Sequence, residues 1–295
     1  GSCYTEIQRK TYMISIITLM RFLAITACLA PLQVFLMLFR IPLSRRLPMI
    51  WHRTICRVFR FRLELHGTLS RQTPILFVCN HTSYLDIPVL GAVLPGCFVA
   101  KAEVKNWPLF GFLSKLQRTV FVERRVTRTG HHRDEMTTRM ENGDNLILFP
   151  EGTSNDGNRV LPFKSAFFAI ADKEIDGKPI CVQPVSVSYT HLDGLPMGRR
   201  YRPYFAWYGD MDLASHLWSV AGIGKTTITV QFHEPVIFAD FGSRKALANH
   251  CWQVVSTGVS DAISGRLKLK RKRRWWPTKR LFYDKKTITN LSRPA

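Results

Sequence analysis

Asn80, His81, Thr82, Ser83, Tyr84, Leu85 and Asp86 spell NHTSYLD, between the apolar run PILFVC and the segment IPVLGAVLP. A histidine followed at five residues by an aspartate is a candidate proton-transfer pair. Histidine has the side-chain pKa nearest neutrality, and a carboxylate on one ring nitrogen fixes the tautomer so that the other can accept a proton. Within a regular helix the two side chains would lie about 140° apart around the axis, at roughly 100° per residue. They meet only if His81 sits just outside a helix and Asp86 lies in its first turn. The same stretch also reads as a plain helix start, with Ser83 as cap and Asp86 reaching back to a backbone N–H. The two readings coexist, because a helix start at the carboxyl edge of a strand is where open α/β sheets place ligands and catalytic groups.

The pattern around NHTSYLD supplies such an edge. Short apolar runs rich in β-branched residues (RLELHG, PILFVCN, CFVAK, TVFVER, NLILFP, CVQPVSVSY and TITVQFHEPV) read as strands. Between them lie helix-length segments at 83–93, 104–116, 128–140, 163–173 and 244–264. This alternation predicts an α/β fold, a mixed, mostly parallel sheet flanked by helices. With no repeat and no Gly/Ser-rich linker, one domain over 48–269 is expected, followed by a basic tail at 270–295.

Ahead of that domain, residues 15–39 read SIITLMRFLAITACLAPLQVFLMLF, uncharged from Phe22 to Phe39. A membrane-anchoring helix is expected over 14–40. Pro31 and Gln33 kink and polarise its middle, so a full span and a helix lying in one leaflet both fit. Arg40, Arg45, Arg46, Arg53, Arg57, Arg60 and Arg62 follow it, against Arg9 and Lys10 before it. That asymmetry places the rest of the chain on the cytoplasmic face of the cell (inner) membrane.

Forty-two Lys and Arg against 21 Asp and Glu give a net charge of +21, which calls for a polyanionic or anionic-surface partner. The segment RLKLKRKRRWWPTKR at 266–280, with Trp275 and Trp276 among its basic residues, suits an anionic bilayer surface. Nucleic-acid binding would rest on the same charges alone, and the apolar N-terminal helix favours lipid. Seven scattered cysteines, odd in number and without a C-x-x-C pair, disfavour a disulfide framework or a zinc site.

NHTSYLD resembles the first motif, Asn-His-x-Ser-x-x-Asp, of the glycerolipid acyltransferase family. Three further segments follow in that family's order: Val120-Phe121-Val122-Glu123-Arg124, Phe149-Pro150-Glu151-Gly152-Thr153 and Val182-Gln183-Pro184-Val185-Ser186-Val187. The resemblance implies His81 as general base towards the acceptor hydroxyl and Asp86 as its support. Asn80 and Ser83 belong to the same motif as supporting residues, and Arg124, Glu151, Gly152 and Thr153 are implied to bind the acceptor head group. The donor would be acyl-CoA or acyl carrier protein, with no cofactor and no metal. The partners implied are membrane lipids and a lysolipid acceptor.

Two positions depart from the family pattern. Arg118 stands where glycine is common, and Ser154 follows Glu-Gly-Thr where arginine is common, which removes a phosphate clamp that Arg125, Arg159 or Lys164 would have to replace. The segments FPEGTSNDGNRVLPFK, VQPVSVSY and WYGDMDLASHLW are similar to the branch that acylates lyso-ornithine lipid. Lysophosphatidate, giving phosphatidic acid, is nevertheless expected first as the family's commonest acceptor, with lyso-ornithine lipid the alternative. A catalytically dead lipid-binding homologue and a nucleic-acid-binding protein rank below both.

Two further motifs are set aside. GIGKTT at 222–227 lacks the first glycine of a phosphate-binding loop and precedes a strand pattern rather than a helix. Adjacent His131 and His132 on a polar helix diverge and read as a solvated face.

Overall fold

The computed structural model describes residues 2–107, 109–122 and 129–267. The expected strands form: β1 Phe61–Gly67, β2 Ile75–Cys79, β3 Cys97–Lys101, β4 Val120–Val122, β5 Leu146–Leu148, β6 Cys181–Leu192 and β7 Thr226–Phe232. They line up as β1-β7-β6-β2-β5-β3-β4, and two-residue strands Leu195–Pro196 and Val236–Ile237 pair with β6. Only the β7–β6 pairing on this path is antiparallel. The mixed, mostly parallel sheet flanked by helices is thus borne out, and the segment after GIGK is strand β7.

A parallel strand covered on both faces reads as a near-continuous apolar run, and PILFVC is one. Ile75, Phe77 and Cys79 face one core cluster with Ile55, Phe59 and Val89, while Leu76 and Val78 face the other with Leu247, Cys251 and Val255. The pleat's two-residue period makes this division.

The helices are α1 Ser2–Leu38, α2 Leu47–Val58, α3 Asp86–Gly91, α4 Phe110–Leu116, α5 Thr129–Glu141, α6 Leu213–Gly222 and α7 Arg244–Ile263. Two departures from expectation have physical reasons. The expected helix at 163–173 is a 3-10 turn, Ser165–Ile170, because its buried residues Phe163, Phe168, Ile170 and Ala171 form no single helical stripe. Helix α6 was not expected, although its N-cap is present in the sequence: the Asp212 carboxylate accepts from Ser215 N at 2.7 Å.

Helix α1 corrects the reading of Pro31 and Gln33. It runs unbroken through Pro31, and its buried side chains, Ser15, Thr18, Phe22, Thr26, Gln33 and Leu36, recur at helical spacing on one face. The polar members of that face are paired with the sheet domain. Ser15 Oγ donates to Trp218 O (3.1 Å), Thr18 Oγ1 accepts from Arg60 Nη1 (3.1 Å) and Thr26 Oγ1 from Trp51 Nε1 (3.1 Å). Gln33 Nε2 donates to Ser44 O and Leu116 O, at 2.9 and 2.8 Å. Met13, Ile17, Met20, Leu23, Phe35 and Leu38 point outward instead. The helix therefore buries a mixed face with four polar side chains and leaves large apolar side chains exposed, unlike a soluble amphipathic helix. Its segment Arg9–Leu38 is long and apolar enough to cross a membrane, which makes it a candidate membrane anchor.

Candidate active site

Strands β2 and β5 are parallel neighbours in register, Val78 opposite Leu148. Their exits at the carboxyl edge therefore lie side by side and carry NHTSYLD and FPEGT to one place. Asn80 fixes the first exit by pairing like a backbone residue: its Nδ2 donates to Val187 O (3.0 Å) and its Oδ1 accepts from Val187 N (2.8 Å). His81 stands outside the helix and Asp86 opens α3, which brings His81 Nδ1 to 3.0 Å from Asp86 Oδ2.

Asp86 is 1% exposed, and four donors converge on its carboxylate. Oδ2 accepts from Thr82 N (2.6 Å) and Ser83 N (2.9 Å) besides meeting the imidazole, and Oδ1 accepts from Tyr189 OH (3.0 Å). The reach back to backbone N–H groups is as expected for a helix start. Ser83 differs: its Oγ accepts from Leu85 N (3.3 Å) rather than capping α3. Tyr189 is the partner that sequence reasoning missed. Burial and the Asp86 carboxylate beside it push its phenol well above the ordinary value, so it is held as a donor.

His81 keeps 22% of its side chain exposed and stacks on Phe149 with ring centroids 4.1 Å apart. With Nδ1 turned to Asp86, Nε2 is the nitrogen left to exchange a proton. The ring lines a cavity of about 590 Å3, walled mostly by apolar and aromatic side chains that include Phe22, Trp51, Leu113 and Phe149.

Glu151 was expected to contact the acceptor, and the structure shows where its carboxylate points. It is 1% exposed, and its carboxylate is turned into the protein. Oε1 accepts from His81 N (2.7 Å), and Oε2 accepts from Asn155 Nδ2 (2.7 Å) and Leu161 N (2.8 Å). Glu151 thus clamps the backbone of His81 to the neighbouring loop. Burial raises its carboxyl to about 7, and the three donors and the nearby His81 oppose the rise.

Gly152, Thr153 and Ser154 do line the cavity. Gly152 has φ of +70°, and a Cβ there would lie 2.9 Å from Lys164 Nζ, so an ammonium sits beside this turn. The Gly152 N–H is committed to Phe149 O at 3.1 Å. Ser154 Oγ donates to Trp207 O at 2.5 Å and so ties the third motif to the Trp207 loop. Arg118 has φ of 63°, the left-handed region that favours glycine. Its guanidinium is taken by Asp144 in two hydrogen bonds of 2.9 and 2.5 Å, which is a structural use. Arg124, Arg125, the side chains of His131 and His132, and the tail from 270 to 295 lie outside the described residues. Among the described residues no group of His, Cys, Asp and Glu is placed to hold a metal ion.

Residues 61–188 match the Acyltransferase family model. The chain is 42% identical over 247 residues to the lyso-ornithine lipid O-acyltransferase of Brucella abortus, an alignment covering 82% of this chain and 92% of that one. It is 39% identical to the enzyme of the same name from Rhizobium meliloti, covering 82% and 84%. Identity is 32% to a 1-acyl-sn-glycerol-3-phosphate acyltransferase of Neisseria gonorrhoeae, over 63% of this chain and 70% of the relative. The fold matches the 1-acyl-sn-glycerophosphate acyltransferase of Thermotoga maritima with a TM-score of 0.58 at 22% identity, covering 90% of this chain and all of that one. On this likeness over most of its length, the chain belongs to the glycerolipid acyltransferase family and is a lysolipid acyltransferase.

Proposed function

We propose that the chain transfers a fatty acyl group from acyl-CoA or acyl carrier protein to the hydroxyl of lyso-ornithine lipid, with lysophosphatidate as the second acceptor. The observation that carries the catalytic half is the His81–Asp86 pair facing an apolar cavity. His81 Nε2 takes the proton of the acceptor hydroxyl while that oxygen attacks the thioester carbonyl. The C–S bond then breaks, and the imidazolium gives its proton to the departing sulfur, which leaves as the free thiol and restores the neutral base. Asp86 keeps Nδ1 protonated and balances the imidazolium, as in a Ser/His/Asp triad whose nucleophile is the substrate.

The order of acceptors follows from Ser154 and from the names of the more similar relatives. Ser154 stands where the family's phosphate-clamping arginine is common, and it spends its hydroxyl on Trp207. A panel of lyso-ornithine lipid, lysophosphatidate and glycerol 3-phosphate tests it. Wild type is expected to prefer lyso-ornithine lipid, and Ser154→Arg to shift the kcat/KM ratio towards lysophosphatidate by about tenfold, the gain of one charge-assisted hydrogen bond. Wild type preferring lysophosphatidate would reverse the assignment.

The buried face of α1 meets the rest of the protein from Ser15 to Leu36, which favours a helix lying in the interface over one that crosses the bilayer. We take it as an interfacial anchor of an acyltransferase domain over 48–269 on the cytoplasmic face of the inner membrane. Leu43 and Ile50 are exposed near it beside Arg40, Arg45 and Arg46. Leu23→Glu with Phe35→Glu is expected to move the protein from the membrane to the soluble fraction while Asp86 and His81 stay paired. Retention of the double variant in carbonate-washed membranes would instead favour a span or a second anchor.

A further inference from the structure

The cavity beside His81 is apolar along most of its wall and polar at one place. His52 of α2 and Gln33 of α1 both line it, at 2% and 4% exposure. His52 Nδ1 and Gln33 Oε1 have no hydrogen-bond partner among the described residues. Gln33 cannot turn its oxygen elsewhere, because its Nε2 is held between the carbonyls of Ser44 and Leu116. The Gln117 side chain, one residue beyond Leu116, lies beside His52, so both groups approach the C-terminal end of α4. Burial lowers the imidazole to about 4, which leaves it neutral with one donor and one acceptor nitrogen. The ring is also wedged against α3: a Cβ on Gly91 would lie 2.4 Å from its Cδ2.

Three ring contacts relate this place to the reaction centre. His81 stacks on Phe149 at 4.1 Å, Phe149 meets Phe98 at 6.1 Å, and Phe98 meets His52 at 6.2 Å. His81, Phe149, Phe98 and His52 all line the cavity. A chain whose thioester lies at His81 can therefore run past His52 and Gln33.

A plain hydrocarbon laid across two unpartnered polar atoms leaves both unsatisfied, whereas a hydroxyl at that depth donates its one proton to Gln33 Oε1 and accepts from His52 Nδ1 in the tautomer that protonates it. We infer that His52 and Gln33 form a polar subsite in the acyl-chain cavity that selects a donor chain carrying a hydroxyl at the depth of the C-terminal end of α4. This rests on the acyltransferase reading for its turnover test but not for its binding test.

The full-length protein is assayed with long-chain acyl thioesters of one length, either unsubstituted or bearing a single hydroxyl at successive positions. One position is expected to exceed the unsubstituted chain about tenfold in kcat/KM, the discrimination of one net hydrogen bond. His52→Leu and Gln33→Leu are each expected to flatten that ratio, which is the readout whatever the absolute rates. In parallel, thermal shifts are measured with the free hydroxylated and unsubstituted fatty acids. A flat profile in wild type, by rate and by thermal shift, overturns the subsite and assigns the polar atoms to buried water. A hydroxyl preference in binding without any turnover keeps the subsite and removes the catalytic reading instead.

Discussion

Alanine at His81 is expected to lower kcat by about a hundred- to ten-thousand-fold, or ~3–5 kcal/mol of barrier, with the fold intact. The loss falls on kcat because the imidazole is asked only to hold a proton in the transition state, while the cavity that binds the chain is left in place. The fold survives because the ring is partly exposed and the residue's tie to Glu151 runs through its backbone N–H. Asp86 also keeps Thr82 N, Ser83 N and Tyr189 OH as donors when the ring is gone, so no buried charge is stranded. Release of free thiol from acyl-CoA, followed with a saturating lysolipid, reads kcat, and a thermal melt checks the fold. An alanine variant as fast as wild type would sink the general-base assignment. Asp86→Asn separates support from chemistry. Its amide must turn an NH2 towards Tyr189 OH or towards the Thr82 and Ser83 N–H groups, so it is expected to lose thermal stability as well as rate.

NHTSYLD could be read in advance because both partners lie in one short stretch whose geometry depends on a single local event, a helix starting at Asp86. Strand β2 could be read for a similar reason: burial on both faces shows in PILFVC as one continuous apolar run. What escaped were contacts made by topology. Tyr189 is 103 residues from Asp86 and reaches it only because β6 runs parallel beside β2, with Val185 opposite Cys79. Gln33 looked like a polar flaw in an anchor, since the carbonyls of Ser44 and Leu116 that hold it leave no mark in the sequence. The inward turn of Glu151 could not be read, because a residue just past a strand end can turn towards the cavity or into the protein, and its spacing in FPEGT is the same in both cases.

The inward turn of Glu151 makes a prediction with a definite pH signature. Glu151→Gln keeps the shape but leaves one oxygen for three donors, so His81 N or the pair Asn155 Nδ2 and Leu161 N faces an NH2 group. An unsatisfied buried donor costs about 1–3 kcal/mol, which lowers the melting temperature by several degrees for a chain of this size. The wild-type carboxyl titrates near 7 in the folded protein against an ordinary value of 4.5. Between these values the folded state holds a proton that the unfolded state has released, so stability decreases as pH rises through the window, by an amount of order 3 kcal/mol when complete. The glutamine variant has no such proton. The stability advantage of wild type over Glu151→Gln is therefore expected to be largest near pH 5 and to shrink by pH 8, as read from paired denaturant melts. A gap that stays constant across that range would show that Glu151 is ionised throughout and that the three donors outweigh its burial. Activity supplies an independent reading: a clamp on the His81 backbone predicts a fall in kcat with little change in acceptor KM, whereas direct contact with the head group predicts a rise in KM. The same variant thus distinguishes a residue that positions the base from one that binds the lipid.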